Sequence, residues 1–190
     1  EDQNKTALFT VNTTQAAAIK VKLISLNANF ENSNEATISI NSNNKKSNLS
    51  DFAIDNKGNL LCLRNTTKNG SAPAVSLLYL AANGAEVIET PVINNTLLLD
   101  DIRLKVDNIN GHVVLNSFYA TSKKGNVEGL YSYVWDINSK QEIATTSNRF
   151  TDAARAAVSS KRNLKDAFDA FYFDKIITQA DGSFVVVAEA

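Results

Sequence analysis

The chain has 190 residues, of which 44% are hydrophobic and 21% are charged, and its formal net charge is −1. This composition is that of a folded globular protein and excludes a disordered chain. A chain so close to neutral lacks the excess of lysine and arginine that binding to a phosphate backbone requires, so we expect no nucleic-acid partner. No apolar stretch approaches the ~18 residues of a bilayer-crossing helix, so we expect no membrane span.

The first 50 residues predict short strands. A first strand is predicted at 7–11. Residues 19–26 alternate between apolar and polar side chains, which is typical of a half-buried strand with its lysines facing water. Residues 36–40 are predicted to form the returning strand. Residues 41–50 are almost wholly Asn, Ser and Lys, and we expect a loop there.

Residues 51–96 predict a four-stranded unit. Its strands are predicted at 52–55, 60–64, 75–80 and 86–92. Asp55 is expected to open the first turn, in which Gly58 tolerates a positive φ. A polar loop is predicted at 65–71, and Asn83-Gly84 is a strong signal for a two-residue hairpin turn.

Residues 97–150 predict a second unit of the same kind. Its strands are predicted at 102–107, 113–119, 130–135 and 141–146, with turns at 108–111 and 136–140. The turn residues of the two units match at a period of roughly 50 residues, which indicates an internal repeat.

Residues 151–190 begin by breaking that pattern. The run 153–157 has high helix propensity, Thr151 is a suitable N-cap and Asp152 complements the helix dipole, so a short helix is predicted within 151–165. Strands at 171–178 and 184–188, joined by an Asp181-Gly182 turn, then repeat the first half of a unit.

The repeat favours a particular all-β architecture. A four-stranded antiparallel sheet does not bury both of its faces alone, whereas sheets stacked radially in a β-propeller cover one another. We therefore predict a single domain or fragment that is a partial, β-propeller-like array of four-stranded antiparallel blades. It is divided into N-terminal strands (1–50), a blade (51–96), a second blade (97–150) and a helix with a half blade (151–190). A β-sandwich is the alternative.

Four motifs of the second half carry a family resemblance. They are IRLKVDN from Ile102, NSFY from Asn116, GLYSY from Gly129 and DGSFVVVAE from Asp181. Together with Phe150, these motifs resemble the blades of uncharacterised, exported β-propeller proteins of Bacteroidetes, although Ser117 stands where such blades usually have Gly. The resemblance implies a periplasmic, outer-membrane-associated or secreted location, and it implies no known activity.

Two residue types occur only once. Cys62 is the single cysteine, which excludes an intrachain disulfide and a cysteine-based zinc site, and its apolar neighbours predict a small buried core residue. His112 is the single histidine, so the chain holds no cluster of histidines, and we expect His112 to be an exposed turn residue. The chain contains no methionine, and we interpret it as a processed product or a piece of a longer protein.

Several carboxylates are candidates for a cation site. Asp100 and Asp101 are adjacent, but successive strand residues point to opposite faces, so we predict solvated charges at a strand edge. The stretch 107–111 echoes a calcium loop, yet Ile109 stands where an oxygen ligand is required, and turn chemistry explains it. A calcium site is the minor alternative for three aspartates that follow the helix, namely Asp166, Asp169 and Asp174.

Aromatic residues are candidates for a sugar platform, because a glycosidase needs two opposed carboxylates and typically aromatic rings in its cleft. These residues are Tyr119, Tyr131, Tyr133, Trp135 and the run 171–173. They lie in predicted strands, which favours packing between blades. Exposure decides between the two interpretations, since Trp135 and Tyr131 lining an open channel indicates a sugar site.

These observations assign no catalytic, cofactor-binding or metal-ligating residue, and we expect no cofactor. The function that they favour is a non-enzymatic scaffold or protein-interaction module of the bacterial cell envelope. Its partner is then another protein or the remaining blades of a longer chain. The alternative is a carbohydrate-binding or glycan-cleaving propeller domain, with a glycan as the ligand.

Overall fold

The computed structural model describes residues 6–15, 18–27, 29–41, 46–67, 74–92, 97–159 and 164–190. Over these ranges it contains thirteen strands and one helix. The elements are β1 (Thr6–Gln15), β2 (Ala18–Leu26), β3 (Asn32–Asn41), β4 (Lys46–Ile54), β5 (Leu60–Thr67), β6 (Ala74–Leu80), β7 (Val87–Val92), β8 (Leu98–Asp107), β9 (His112–Ala120), β10 (Gly129–Asp136), β11 (Gln141–Arg149), α1 (Asp152–Val158), β12 (Tyr172–Thr178) and β13 (Phe184–Glu189).

The chain divides into two compact units, Glu1–Ile93 and Asn94–Ala190. The first unit contains an antiparallel three-stranded sheet, β1-β2-β3, and an antiparallel four-stranded sheet, β4-β5-β6-β7. Alternate residues of β2 and β3 pack on one face of β5 and β6, because the period of a strand places every second side chain on the same side. This core consists of Ile19, Val21, Leu23, Ile38, Ile40, Leu60, Cys62, Leu78 and Leu80.

The strand β5, an inner strand of the four-stranded sheet of the first unit, is buried on both faces. Leu60, Leu61, Cys62 and Leu63 of β5 are all fully buried, although neighbouring residues of a strand point to opposite sides. A continuous apolar run is the pattern expected of a strand that is covered on both sides, as in stacked sheets. The prediction that Cys62 is a buried core residue is confirmed.

The second unit contains an antiparallel four-stranded sheet, β8-β9-β10-β11, and the two-stranded sheet β12-β13. The strand β9, an inner strand of the four-stranded sheet, is buried without interruption from Val113 to Tyr119. β12 packs against β8. Both four-stranded sheets follow chain order from one edge to the other, so consecutive strands are hydrogen-bonded neighbours.

These sheets confirm the predicted fold class. The described regular elements are thirteen strands and one short helix, the sheets are antiparallel, and two of them have four strands in simple up-and-down order. Open sheets of this kind are those of a partial propeller, whereas a β-sandwich typically uses Greek-key connections between its sheets.

Two predicted loops are partly strand. β4 begins at Lys46 and β5 continues to Thr67. Residues 46–48 pair with residues 65–67, and residues 49 and 50 pair with residues 64 and 63. The loop prediction was wrong there because it rested on polar composition, whereas the ladder uses main-chain groups that every non-proline residue carries. Residues 42–45 and 68–71 of the predicted loops lie outside the described residues.

The hairpin turns of the first unit follow the predicted turn chemistry in one case and differ in the other. The Oδ1 atom of Asp55 accepts hydrogen bonds from the main-chain N–H groups of Lys57 and Asn59, both at 2.9 Å, and Gly58 has a φ of 84°. The Asn83-Gly84 turn is wider than a two-residue loop, because Ala81 N–H bonds to Glu86 C=O and Gly84 N–H bonds to Ala81 C=O.

The predicted helix is confirmed as α1. Its N-cap is Thr151, whose hydroxyl accepts a hydrogen bond from Ala154 N–H at 3.1 Å, which satisfies one of the unpaired donors at the start of a helix. Residues 165–170 form successive turns and do not continue the helix. Within the described residues, no helix is long and apolar enough to cross a membrane.

Candidate functional site

Asp100 and Asp101, the adjacent carboxylates of β8, have different surroundings. A register shift lies between Asp100 and Arg103, and Asp101 has a φ of 47°. Asp100 is exposed, as predicted. Asp101 is half-buried, accepts a hydrogen bond from the main-chain N–H of Phe173 and lies 3.1 Å from Arg103. The prediction of a solvated charge was wrong for Asp101, because the irregularity in the strand turns this side chain toward β12.

Turn chemistry is confirmed at Asp107. Its Oδ1 accepts from the main-chain N–H groups of Ile109 and Asn110, at 3.1 and 3.2 Å, and its Oδ2 accepts from the Asn110 side chain at 2.8 Å. The carboxylate is buried, and these donors take up its oxygen atoms. The loop is therefore a hairpin turn that an aspartate stabilises.

The three aspartates after the helix have different surroundings. Asp169 accepts from the Asn126 side chain and, at 2.8 Å, from the main-chain N–H of Val127. Asp174 lies 3.5 Å from Lys175, and Asp166 lies in the turn segment. In the described ranges, no three His, Cys, Asp or Glu side chains are arranged to hold a metal ion.

His112 is not an exposed turn residue. It is half-buried and is the first residue of β9, with its Nε2 3.7 Å from Asp136 Oδ2. Hydrogen bonds from the main chain and side chain of Ser139 hold the pKa of Asp136 below its usual value, and the charge of His112 lowers that pKa further. The hydrogen bond from Ser139 N–H to Asp136 stabilises the turn between β10 and β11, and the contact with His112 joins the end of β10 to the start of β9.

The aromatic side chains of β10 pack in the interior, as the strand pattern predicted. Tyr131, Tyr133 and Trp135 are fully buried, and burial raises the pKa of Tyr133. None of these three rings lines an open channel, so they offer a sugar no platform. A sugar site required Trp135 and Tyr131 to line an open channel. Since both side chains are buried, their position counts against a carbohydrate site.

The second unit contains a cleft that no sequence motif indicated. It has a volume of about 610 Å³ and lies between the loop that joins β9 to β10, the end of β11 and the helix α1. We call it the loop–helix cleft. It is lined by Gly125, Asn126, Val127, Glu128, Arg149, Phe150, Asp152, Arg155, Leu164 and Lys165.

Arg155 is the most buried charged group of the loop–helix cleft, at 7% exposure. Its guanidinium donates to four main-chain carbonyl oxygens: Val127 at 2.9 Å, Glu128 at 3.2 Å, Leu164 at 3.3 Å and Lys165 at 3.0 Å. The side chain thereby joins both walls of the cleft. In the described part of the chain its hydrogen-bond acceptors are all neutral, so its charge is not cancelled by a bonded carboxylate.

The other charges of the cleft lie nearer to solvent. Arg149 is 76% exposed, and its Nε lies 3.7 Å from Oε2 of Glu128. Lys165 and Asp152 are also exposed. The described lining residues thus include three cationic side chains and two carboxylates, so the cleft has an excess of positive charge. The cations are Arg149, Arg155 and Lys165, and the carboxylates are Glu128 and Asp152.

Local geometry fixes the loop wall of this cleft. Gly129 begins β10, where a Cβ atom would lie 2.1 Å from the carbonyl oxygen of Asn148 and 2.7 Å from the ring of Tyr119. Only glycine lets the two strands approach so closely. Phe150 stacks on Phe168 with 4.0 Å between the ring centroids. Phe150, which lines the cleft, is therefore held against a second aromatic ring.

Comparisons with known proteins give structural likeness alone. No family model matches the chain, and no curated protein matches it. A mutant of the Synechocystis apocarotenoid oxygenase is similar in structure, with a TM-score of 0.48 and 12% identity over 75% of this chain and 35% of that one. A chimera of the apocarotenoid oxygenase with RPE65 gives the same TM-score and identity over 74% of this chain and 34% of the other.

The chain thus spans about a third of the length of the solved structures that it matches. These structures correct the functional prediction. A non-enzymatic scaffold or interaction module was expected because the sequence contains no catalytic motif, whereas the solved structures that the chain resembles are those of oxygenase enzymes and their chimeras. At 12% identity the likeness concerns the arrangement of strands.

Proposed function

We propose that the protein binds a small organic anion in the loop–helix cleft. The observation that carries the proposal is the buried guanidinium of Arg155, whose four described acceptors are neutral carbonyl groups. A cation held in this way keeps its positive potential, and a concave site with low-dielectric walls concentrates that potential.

The dimensions of the cleft suit a small molecule. Its volume of about 610 Å³ lies within the range of roughly 300–1,000 Å³ that is typical of ligand pockets. Val127, Phe150 and Leu164 supply apolar contacts, and the charged residues stand around them. This mixture fits a ligand with a compact apolar body and an acidic group.

Arg149 is positioned to recognise the acidic group. Its side chain is 76% exposed and lies 3.7 Å from Glu128, which is beyond hydrogen-bond distance. An arginine can donate two parallel hydrogen bonds to a carboxylate. Arg155 already gives hydrogen bonds to four carbonyls, so it contributes charge while Arg149 contributes direct contacts.

The test is titration of the ¹⁵N-labelled protein with benzoate and with benzamide, which has the same size and no charge. We expect benzoate to shift the amide signals of the loop–helix cleft with a dissociation constant on the order of 1 mM, which is about 4 kcal/mol. Arg149→Gln should weaken benzoate binding severalfold. Arg103→Gln is the matched control, because Arg103 lies on β8 outside the cleft lining.

Two outcomes would overturn the proposal. One is the absence of signal shifts in the cleft at saturating benzoate. The other is equal binding of benzoate and benzamide, since the ligand would then be held without regard to its charge.

We also propose an exported location, together with further blades or a protein partner that completes the array. The resemblance to exported β-propellers and the repeat of roughly 50 residues support this. Light scattering tests the partner. A discrete dimer would support completion by a second copy, and a monomer of 20.6 kDa would contradict it.

A further inference from the structure

Glu128 lines the loop–helix cleft beside Arg149, so its negative charge affects which anions the cleft can bind. We propose that Glu128 makes the cleft selective for ligands with a single negative charge, by competing for Arg149 and repelling a second acidic group. This inference rests on the proposed function and adds the charge class of the ligand.

Glu128 is held in place through both its main chain and its side chain. Its main-chain N–H donates to Tyr119 C=O at 2.8 Å, and its C=O accepts from Phe150 N–H at 2.9 Å. Its Oε1 accepts from the hydroxyl of Thr121 at 2.5 Å. The negative charge is therefore fixed at the cleft wall.

The cation opposite Glu128 is much freer. Arg149 is 76% exposed, whereas the Glu128 side chain is 29% exposed, and the 3.7 Å between them leaves only a weak ion pair. Arg149 can therefore turn from Glu128 toward the carboxylate of a bound ligand while Glu128 stays where it is. The carboxylate of the ligand then takes the place of Glu128 as the partner of Arg149.

A second negative charge on the ligand meets a different environment. The remaining exposed cation of the lining is Lys165, while Glu128 and Asp152 are both carboxylates. A dianion that engages Arg149 brings its second charge near Glu128, and like charges a few ångströms apart repel even in water. The dianion is therefore rejected relative to a monoanion of similar size.

The experiment compares benzoate with phthalate, which has two carboxylates on the same ring and is a dianion at pH 7. We expect the wild type to bind benzoate at least fivefold more tightly than phthalate. Glu128→Gln should bring the two affinities within about twofold of each other, since it removes the fixed charge and keeps the size of the side chain. Glu142→Gln is the matched control, because Glu142 is an exposed glutamate of β11 outside the cleft.

The outcomes separate this inference from the proposed function. If the wild type fails to bind benzoate, the proposed function fails. If the wild type binds benzoate but prefers phthalate, or if Glu128→Gln leaves the preference unchanged, the inference on Glu128 fails alone. Asp152→Asn serves as a second variant should Glu128→Gln unfold. This change removes the other carboxylate of the lining and should also reduce the preference for benzoate over phthalate. If that preference is unchanged, the result would count against selection by charge.

Discussion

Asp101 on β8 accepts a hydrogen bond from the main-chain N–H of Phe173, the second residue of β12. The contact joins two sheets of the second unit through residues 72 positions apart in the chain. Phe173 is buried and stacks on Phe118 of β9, with ring centroids 4.3 Å apart. The hydrogen bond and the ring contact therefore place β12 on the four-stranded sheet together.

Replacing Asp101 should destabilise the second unit. Asp101→Ala leaves the N–H of Phe173 without its acceptor, which typically costs about 1–3 kcal/mol. It also places alanine at a φ of 47°, a conformation that aspartate adopts more readily because its short polar side chain can hydrogen-bond locally. Urea unfolding followed by circular dichroism measures the difference.

Asp100→Ala is the control for that variant, since Asp100 is exposed and its carboxylate accepts only the neighbouring Asp101 N–H among the described hydrogen bonds. We expect a change within about 0.5 kcal/mol for this surface position. Equal stability of Asp101→Ala and Asp100→Ala would contradict the bridging role.

Removing the guanidinium of Arg155 should open the loop–helix cleft. Arg155→Lys keeps the charge, but a single ammonium group has three donors and no planar fork, so it cannot serve all four carbonyls. We expect a loss of about 2–4 kcal/mol of unfolding free energy, because buried acceptors lose their donors. Arg149→Lys changes a side chain that is 76% exposed and should leave stability nearly unchanged.

Hydrogen exchange locates the effect of the Arg155 change. Faster exchange should be confined to the loop that joins β9 to β10 and to the segment after α1, because the guanidinium contacts these two stretches. Unchanged exchange in both stretches would contradict the view that Arg155 joins the walls of the cleft.

Apart from the fold class, which rested on the repeat, the features that sequence alone predicted correctly are local ones. The apolar run that contains Cys62, the turn at Asp55 and the cap at Thr151 all depend on residues close together in the chain, and they were correct. Such signals arise because strand period, turn φ and capping act within a few residues.

The loop–helix cleft could not be predicted in the same way. Arg155 looks like a solvated residue in a short helix, and its role depends on carbonyl groups 27 and 28 positions before it in the chain. A backbone carbonyl has no sequence signature, so no motif points to the contact. The register shift that turns Asp101 toward Phe173 is equally invisible, because the residues of β8 follow an ordinary strand pattern.

The thiol of Cys62 should react slowly in the folded protein. Burial raises the pKa of Cys62 from 9.0 to about 12, so the reactive thiolate is scarce at pH 8 and the reagent has no access to it. Labelling with a disulfide reagent at pH 8 should be slow in buffer and complete within the mixing time in urea. Rapid labelling without urea would contradict the core position.

The raised pKa of Cys62 also predicts how the free energy of unfolding changes at alkaline pH. The folded state favours the neutral thiol, so the contribution of Cys62 to stability is fully present below the unfolded pKa of 9.0 and is lost as the pH rises toward 12. Cys62→Ala should therefore flatten the decline in unfolding free energy above pH 9. Unfolding curves at pH 7 and pH 10 for both proteins measure that change.

Asp136, the last residue of β10, should make the free energy of unfolding depend on pH in the acidic range. Hydrogen bonds from Ser139 lower the pKa of Asp136 below its usual value of 3.8, so the folded state favours the carboxylate. Its contribution is present above pH 3.8 and is lost as the pH falls through the lower folded value. Asp136→Asn should reduce the acid slope of the unfolding free energy, and His112→Gln should reduce it less, because Ser139 contributes the larger part of the shift. Thermal melts from pH 2.5 to pH 6 measure these slopes, and an unchanged slope in Asp136→Asn would show that other carboxylates govern acid unfolding.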